Sequence, residues 1–151
     1  MNIDEHAEKA EANFHKHLVE NSYPGRGIVI GCDPGGNPVL IYWIMGRSSN
    51  SRNRVFNLIP EGGLKTEAAD SSLLEDPSLI IYNAVIPSQQ GFLVTNGDHT
   101  DRILAKMGNG KTFLEAMHDE KHEPDPPNFT PRIAGLMTLE ASELKIELAL
   151  A

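Results

Sequence analysis

The chain has 151 residues, 13 Lys+Arg against 21 Asp+Glu for a formal net charge of -8, and 40% hydrophobic residues. That length predicts one compact domain with a core of moderate size. The acid excess argues against nucleic-acid binding, which needs a broad basic face, but leaves room for a small basic pocket around one anionic ligand. Cys32 is the single cysteine, so no internal disulfide can form. No apolar run approaches the ~20 residues of a membrane span. The N-terminal "MNIDEHAEKAEANFHKH" is charged throughout and lacks the apolar stretch of a signal peptide. These features predict a cytoplasmic protein with neither nucleic acid nor membrane among its partners.

In chain order, Ile3, Ala7, Ala10, Phe14 and Leu18 fall on one helical face. They predict an amphipathic helix over 4–20, packed on the domain or on a neighbour and ended before Pro24. "GIVIG" (27–31) and "VLIYWIM" (39–45) flank the turn-rich "CDPGGNP", a hairpin signal. The second run does not alternate, which predicts a strand covered on both faces. "RVFNLI" (54–59) reads as a third strand, and "PEGGLKTEAADSSLLEDP" as a long polar connection with a short helical turn.

"SLIIYNAVI" (78–86) and "GFLVTN" (91–96) predict another strand pair around "PSQQ". The period then changes. "DHTDRILAKMG" predicts a helix with Asp98 or Thr100 as N-cap and Gly108 as its stop. Thr112 with Glu115 three residues on is the capping box of a second short helix. "HEPDPPNFTPR", with prolines at 124, 126, 127 and 131, predicts a rigid extended loop. "RIAGLMTLE" and "LKIELALA" form a last strand pair around "ASE". Strands and helices grouped in this way predict α+β with largely antiparallel sheet. The final run stops at Ala151 without a polar cap or turn. This predicts a C-terminal truncation, and an open strand edge that invites a homo-oligomer.

The strip "MGRSSNSRNR" (45–54) carries Arg47, Arg52 and Arg54 among serines and asparagines, with no acid. Arginine forks match phosphate oxygens two at a time, so the strip reads as an anion site or as a solvated loop. "YPGRG" sets Arg26 between two glycines at the mouth of the first strand, a ligand approach or an ordinary turn. "TNGDHTD" puts Asn96 and Gly97 at a strand-to-helix junction, an N–H-rich site or a plain helix cap. Tyr82 reads as a core residue with its hydroxyl at the surface, or as a hydrogen-bonding acid. His118 and His122 lie four apart before Glu123, but a metal site needs a third ligand that no trusted spacing supplies.

Taken in order, "YPGRGIVIG", "YWIMGRS", "NR", "YNAV", "TNGDHTD" and "TPRIAG" make residues 23–139 similar to the archaeal-type IMP cyclohydrolase family and its bacterial relatives. "IMGRSSNSRNRVF" resembles the bacterial branch. The resemblance implies an Ntn-hydrolase-like four-layer α-β-β-α fold over 23–151, behind a helical extension at 1–22. It also implies that the C-terminal part of the domain is missing. The activity it implies is dehydrative closure of 5-formamidoimidazole-4-carboxamide ribonucleotide (FAICAR) to inosine monophosphate in purine biosynthesis, with no metal or cofactor.

The partner so implied is a small purine ribonucleotide. Its implied ligands are Arg26, Arg47, Ser48, Arg54, Asn96, Gly97 and Arg132. Tyr82 and an acid, Glu123 or Asp125, are the implied catalytic residues. The alternative is a non-catalytic nucleotide-binding module of the same fold. An amide hydrolase of the Ntn type would need a processed N-terminal nucleophile, and no Cys, Ser or Thr is placed for one.

Overall fold

The computed structural model describes residues 3–74, 76–89, 91–140 and 143–151. Helix α1 (Ile3–Phe14) runs into a π-helical turn, His15–Val19. Strands β1 (Arg26–Cys32) and β2 (Pro38–Ile44) pair antiparallel as a two-stranded sheet. Their turn is closed by the Asp33 carboxylate, which accepts from Asn37 N at 2.8 Å.

After α2 (Ser49–Arg52) come β3 (Val55–Leu58), β4 (Leu64–Glu67), β5 (Tyr82–Ser88) and β6 (Gly91–Thr95). Two helices follow, α3 (His99–Gly108) and α4 (Phe113–Met117), then β7 (Ile133–Glu140) and β8 (Glu143–Leu150). Strands β3 to β8 form one six-stranded sheet in chain order, antiparallel throughout. The α+β, mostly antiparallel expectation matches this architecture.

The sheet is covered differently on its two faces. Leu93, Ala134 and Leu136 point to one side and meet Ile103, Met107, Phe113, Ala116 and Met117 of α3 and α4, which is the core. The opposite face of β7 and β8 carries β1 of the hairpin. The approach there is close: a Cβ on Gly135 would lie 2.7 Å from Ile30 Cδ1. The layers are thus helices, a six-stranded sheet and a two-stranded sheet.

Several expectations are corrected. Helix α1 buries no residue, and Ile3 and Phe14 are exposed, so it does not pack on the domain. Strand β2 is not covered on both faces, because the hairpin has an outer side on which Ile41 is half exposed. The supposed connection after Pro60 contains β4, anchored by buried Thr66, whose Oγ1 donates to Ile80 O at 2.6 Å. Residues 78–81 are not strand. A 3-10 turn, Pro77–Leu79, is held by Asp76 accepting from Ser78 N at 2.9 Å.

Helix α3 runs through Gly108, and the left-handed residue after it is Gly110, with φ 88°. The Thr112–Glu115 capping box forms with both bonds present. Glu75 of the long connection, Gln90 of "PSQQ", and Ala141 and Ser142 of "ASE" lie outside the described residues. No helix among the described residues is long and apolar enough to cross a membrane.

Gly27 stands directly opposite Trp43 in the hairpin. A Cβ there would sit 1.9 Å from Trp43 Cζ2, so the indole occupies the space a side chain needs. Gly27→Ala is expected to displace the ring and destabilise the protein by about 1–3 kcal/mol. Denaturant unfolding followed by the emission of the single tryptophan checks this.

Candidate functional site

A cavity of about 480 Å³ opens between the start of β1, the α2 segment and the loop that precedes β7. Arg26, Arg47, Ser48, Arg54, Asn96, Glu123 and Asp125 line it, so one site collects most of the sequence-derived candidates. Tyr82, Gly97 and Arg132 lie outside its lining.

Arg26 begins β1 and is largely buried. Its Nη1 donates to Glu123 Oε1 at 2.5 Å and to the Asn96 carbonyl at 2.8 Å. Glu123 is 7% exposed, so this is an almost buried ion pair. Burial works against the guanidinium charge, but the bond and the charge of Glu123 outweigh it and raise the Arg26 pKa.

Asp125 is differently engaged. Its two carboxylate oxygens accept from Thr130 N at 2.7 Å and Thr130 Oγ1 at 2.5 Å, closing the proline-rich loop. Burial pushes its pKa up, yet those Thr130 bonds dominate and hold it below the ordinary carboxylate value. Of the two acids, Glu123 is the one not committed to its own turn.

Asn96 is a latch. Its Nδ2 donates to Pro131 O at 2.8 Å and its Oδ1 accepts from Ile133 N at 2.9 Å, tying the end of β6 to the start of β7. Its carbonyl is what Arg26 sees. Gly97 follows, and a Cβ there would lie 3.1 Å from Glu123 Oε1, 3.2 Å from Arg132 Nη1 and 3.4 Å from His99 Nδ1. The missing side chain is what lets these groups converge. Arg132 is held by Asp98 Oδ1 at 2.5 Å and by His99 Nδ1 at 3.1 Å, so its Nη1 serves the start of α3.

The arginine strip divides by partner. Ser48 caps α2, accepting from Ser51 N at 3.1 Å while Ser51 Oγ accepts from Ser48 N at 2.9 Å. This turn sits so close to Gly46 that a Cβ there would be 2.3 Å from the Ser51 carbonyl. Arg52 Nε donates to Gly46 O at 3.0 Å, and Arg47 lies over the Tyr23 ring at 5.3 Å. Asn53 is buried and exchanges bonds with Asp70, Nδ2 to O and N to Oδ1, each 2.7 Å. That latch drives Arg54 inward, where Nε and Nη1 are buried with no hydrogen-bond partner. Buried guanidinium donors left unpaired are costly, and the rest of the Arg54 fork is engaged, since its side chain is hydrogen-bonded to Tyr82.

Tyr82 stands behind Arg26 and Arg54. Its hydroxyl is 2.8 Å from that of Tyr42, a partner the apolar run 39–45 concealed. Burial raises both phenols. Tyr42 is driven well above its ordinary value by burial and by Tyr82. For Tyr82 the rise is opposed by the Tyr42 bond and by the two arginine charges. His99 was also hidden in the sequence, having no partner at a recognisable spacing; its partners come from β7 and the segment before it.

The family model described as IMP cyclohydrolase-like protein matches residues 23–148. The chain belongs to the IMP cyclohydrolase-like family. A protein named IMP cyclohydrolase from Methanococcus maripaludis strain C7 is 31% identical over 124 residues, covering 80% of this chain and 60% of that protein. Homologues of the same name are 28% identical in Haloarcula marismortui, over 80% and 57% of the two chains, and 32% identical in Methanosphaera stadtmanae, over 75% and 56%. The chain spans less than two thirds of the length of these IMP cyclohydrolase relatives. The matched segment contains every cavity residue named above.

His99 allows a test of the buried network. Arg132 can only donate, so Nδ1 accepts, and the Nε2 hydrogen is directed to Ile133 O at 3.3 Å; the ring is neutral. Burial, then the Arg132 charge, lower its pKa from 6.5 to about 4. Because the folded value lies below the unfolded one, this stabilisation is complete above pH 6.5 and is lost as pH falls through about 4. The loss amounts to roughly 3 kcal/mol. Thermal melts across that window are expected to show it in the wild type, with that component absent in His99→Gln.

Proposed function

We propose that this protein binds a purine ribonucleotide through its 5′-phosphate, and that its complete form closes FAICAR to inosine monophosphate within the four-layer Ntn-hydrolase-like fold. The observation that carries the reading is Arg54, which lines the cavity and whose Nε and Nη1 are buried without a hydrogen-bond partner. A phosphate supplies paired oxygens that match such a fork. Arg47 adds charge at the exposed side of the same cavity. Membership of the family, and the printed name of its relatives, support the substrate class.

In the reaction the carboxamide nitrogen attacks the formyl carbon, forming the ring C–N bond. The carboxamide nitrogen gives one proton to the base; the formyl oxygen takes a proton from the acid to become a hydroxyl, then takes the base's proton and departs as water, while the formamide nitrogen gives up its own proton to restore the acid as the ring C=N bond forms. Glu123 is assigned the base and Tyr82 the acid, with Arg26 between them as the cation that stabilises developing oxyanion charge. The amide is a weak nucleophile, so the cavity's main contribution is to hold the two groups at reacting distance.

One observation favours binding without turnover: Glu123 Oε1 is already occupied by Arg26 at 2.5 Å, so that oxygen is not free to meet a substrate N–H. A nucleotide-binding module is therefore the second reading. Calorimetry with inosine monophosphate, and with inosine lacking the phosphate, separates the cases. Arg54→Ala is expected to weaken nucleotide binding by roughly 10–100-fold, the size of lost charge-assisted bonds, and to leave inosine unaffected. Glu123→Gln, whose amide oxygen still accepts from Arg26, is expected to keep the site assembled and nucleotide bound while the complete form loses cyclisation of FAICAR. Binding by the complete form with no turnover selects the module, and unaltered affinity in Arg54→Ala contradicts both readings.

A further inference from the structure

We propose that Tyr23 is a positioning residue for phosphate recognition, its ring holding the Arg47 guanidinium at the mouth of the cavity without using the N–H donors that a phosphate needs. This role presupposes the nucleotide site proposed above. Both residues line the cavity, and Arg47 Cζ lies over the Tyr23 ring, 5.3 Å from its centroid. That is inside the range of about 6 Å over which the negative face of an aromatic ring attracts a cation.

The contact is fixed from both sides. Tyr23 N donates to Asn21 Oδ1 at 2.9 Å, and Gly25, with φ 65°, turns the chain into β1. The Tyr23 hydroxyl donates to Met45 O at 3.0 Å, while Met45 N donates to Gly25 O at 2.8 Å. Residues 23–25 and the exit of β2 are thus tied twice. At the next residue, Gly46 O accepts from Arg52 Nε at 3.0 Å. Arg47 therefore follows two pinned carbonyls, one held by the tyrosine and one by the α2 segment. The remaining freedom is in its side chain, and the ring limits that.

The chemistry of the partner matters. A carboxylate would hold Arg47 by accepting its N–H groups and would offset its charge. An aromatic face attracts the same charge and leaves the in-plane donors of the fork to a ligand. Arg26 and Arg52 show the other case, with N–H groups given to Glu123 and to Gly46. The carboxylates that line this cavity are engaged elsewhere: Glu123 Oε1 accepts from Arg26, and Asp125 accepts from Thr130. In a chain of net charge -8, a rim cation that keeps both its charge and its fork offsets the repulsion an anionic ligand meets. A side chain already confined over a ring also loses less freedom when the phosphate binds.

Calorimetry tests this through the phosphate preference, the dissociation constant of inosine divided by that of inosine monophosphate. A general loosening of the site weakens both ligands and leaves that ratio unchanged. Tyr23→Leu is expected to lower it about two- to fivefold, the size of an exposed cation–π contact. Tyr23→Phe, which keeps the ring and loses only the bond to Met45, is expected to retain most of it. Arg47→Ala is expected to lower the ratio about tenfold. In that background Tyr23→Leu is expected to add nothing, because the tyrosine acts through the arginine. Phenylalanines of increasing fluorination at position 23 keep the shape of the ring while draining its face of negative charge. The ratio is expected to fall stepwise along that series, which decides the matter if Tyr23→Leu does not fold. A ratio indifferent to ring fluorination, or one that Tyr23→Leu lowers equally with and without Arg47, overturns the role of Tyr23 and leaves the nucleotide site standing. A wild type that binds inosine as tightly as inosine monophosphate overturns both.

Discussion

The Arg26–Glu123 pair is the interaction on which the site depends. It joins the first residue of β1 to the loop after α4, and through the Asn96 carbonyl it includes the end of β6. These segments are far apart in the chain and meet at almost buried charges. Removing one partner from such a pair leaves the other uncompensated, so the three segments hold together or separate together. Gly97 permits the convergence, and the Asn96 latch to Pro131 and Ile133 sets the height at which the loop approaches. A second set of charges extends the arrangement away from the cavity: Arg132 and Arg102 share Asp98, and Arg102 and Lys106 share Glu120.

Arg54 differs in leaving two of its nitrogens unpartnered while its side chain bonds Tyr82. Arg26, Arg52, Arg102 and Arg132 each donate to a named acceptor. Arg54 Nε and Nη1, buried below the α2 turn, do not. The fold enforces this position, since Asn53 is fastened to Asp70 and the turn rests against a glycine with no space for a side chain. Behind it the Tyr42–Tyr82 pair gives the two inward arginines a polar floor. An acidic chain thus presents a local cationic pocket without a basic surface.

Much of this was legible where the cause is local. The Thr112–Glu115 box depends on residues three apart, and the hairpin around "CDPGGNP" on its own turn, so both follow from the sequence. Strand β4 was not legible, because "LKTE" is strand only by lying between β3 and β5, with Thr66 bonded to residues fourteen and sixteen positions away. The exposed faces of α1 and β2 were missed for the related reason that periodicity marks an apolar side without saying what covers it. In the site, the arginine strip was visible as composition and order. What separates Arg54 from Arg52, two residues earlier, is the Asn53–Asp70 latch, a contact across the fold. Tyr42 and His99 were hidden likewise, one inside an apolar run and the other beside a helix cap.

A crystal structure of the protein with inosine monophosphate tests the central claim most directly. The account predicts the 5′-phosphate within hydrogen-bond distance of Arg54 Nε and Nη1, with the purine ring directed toward Glu123 and Arg26. A nucleotide bound with its phosphate elsewhere and those two donors still unpartnered would contradict it.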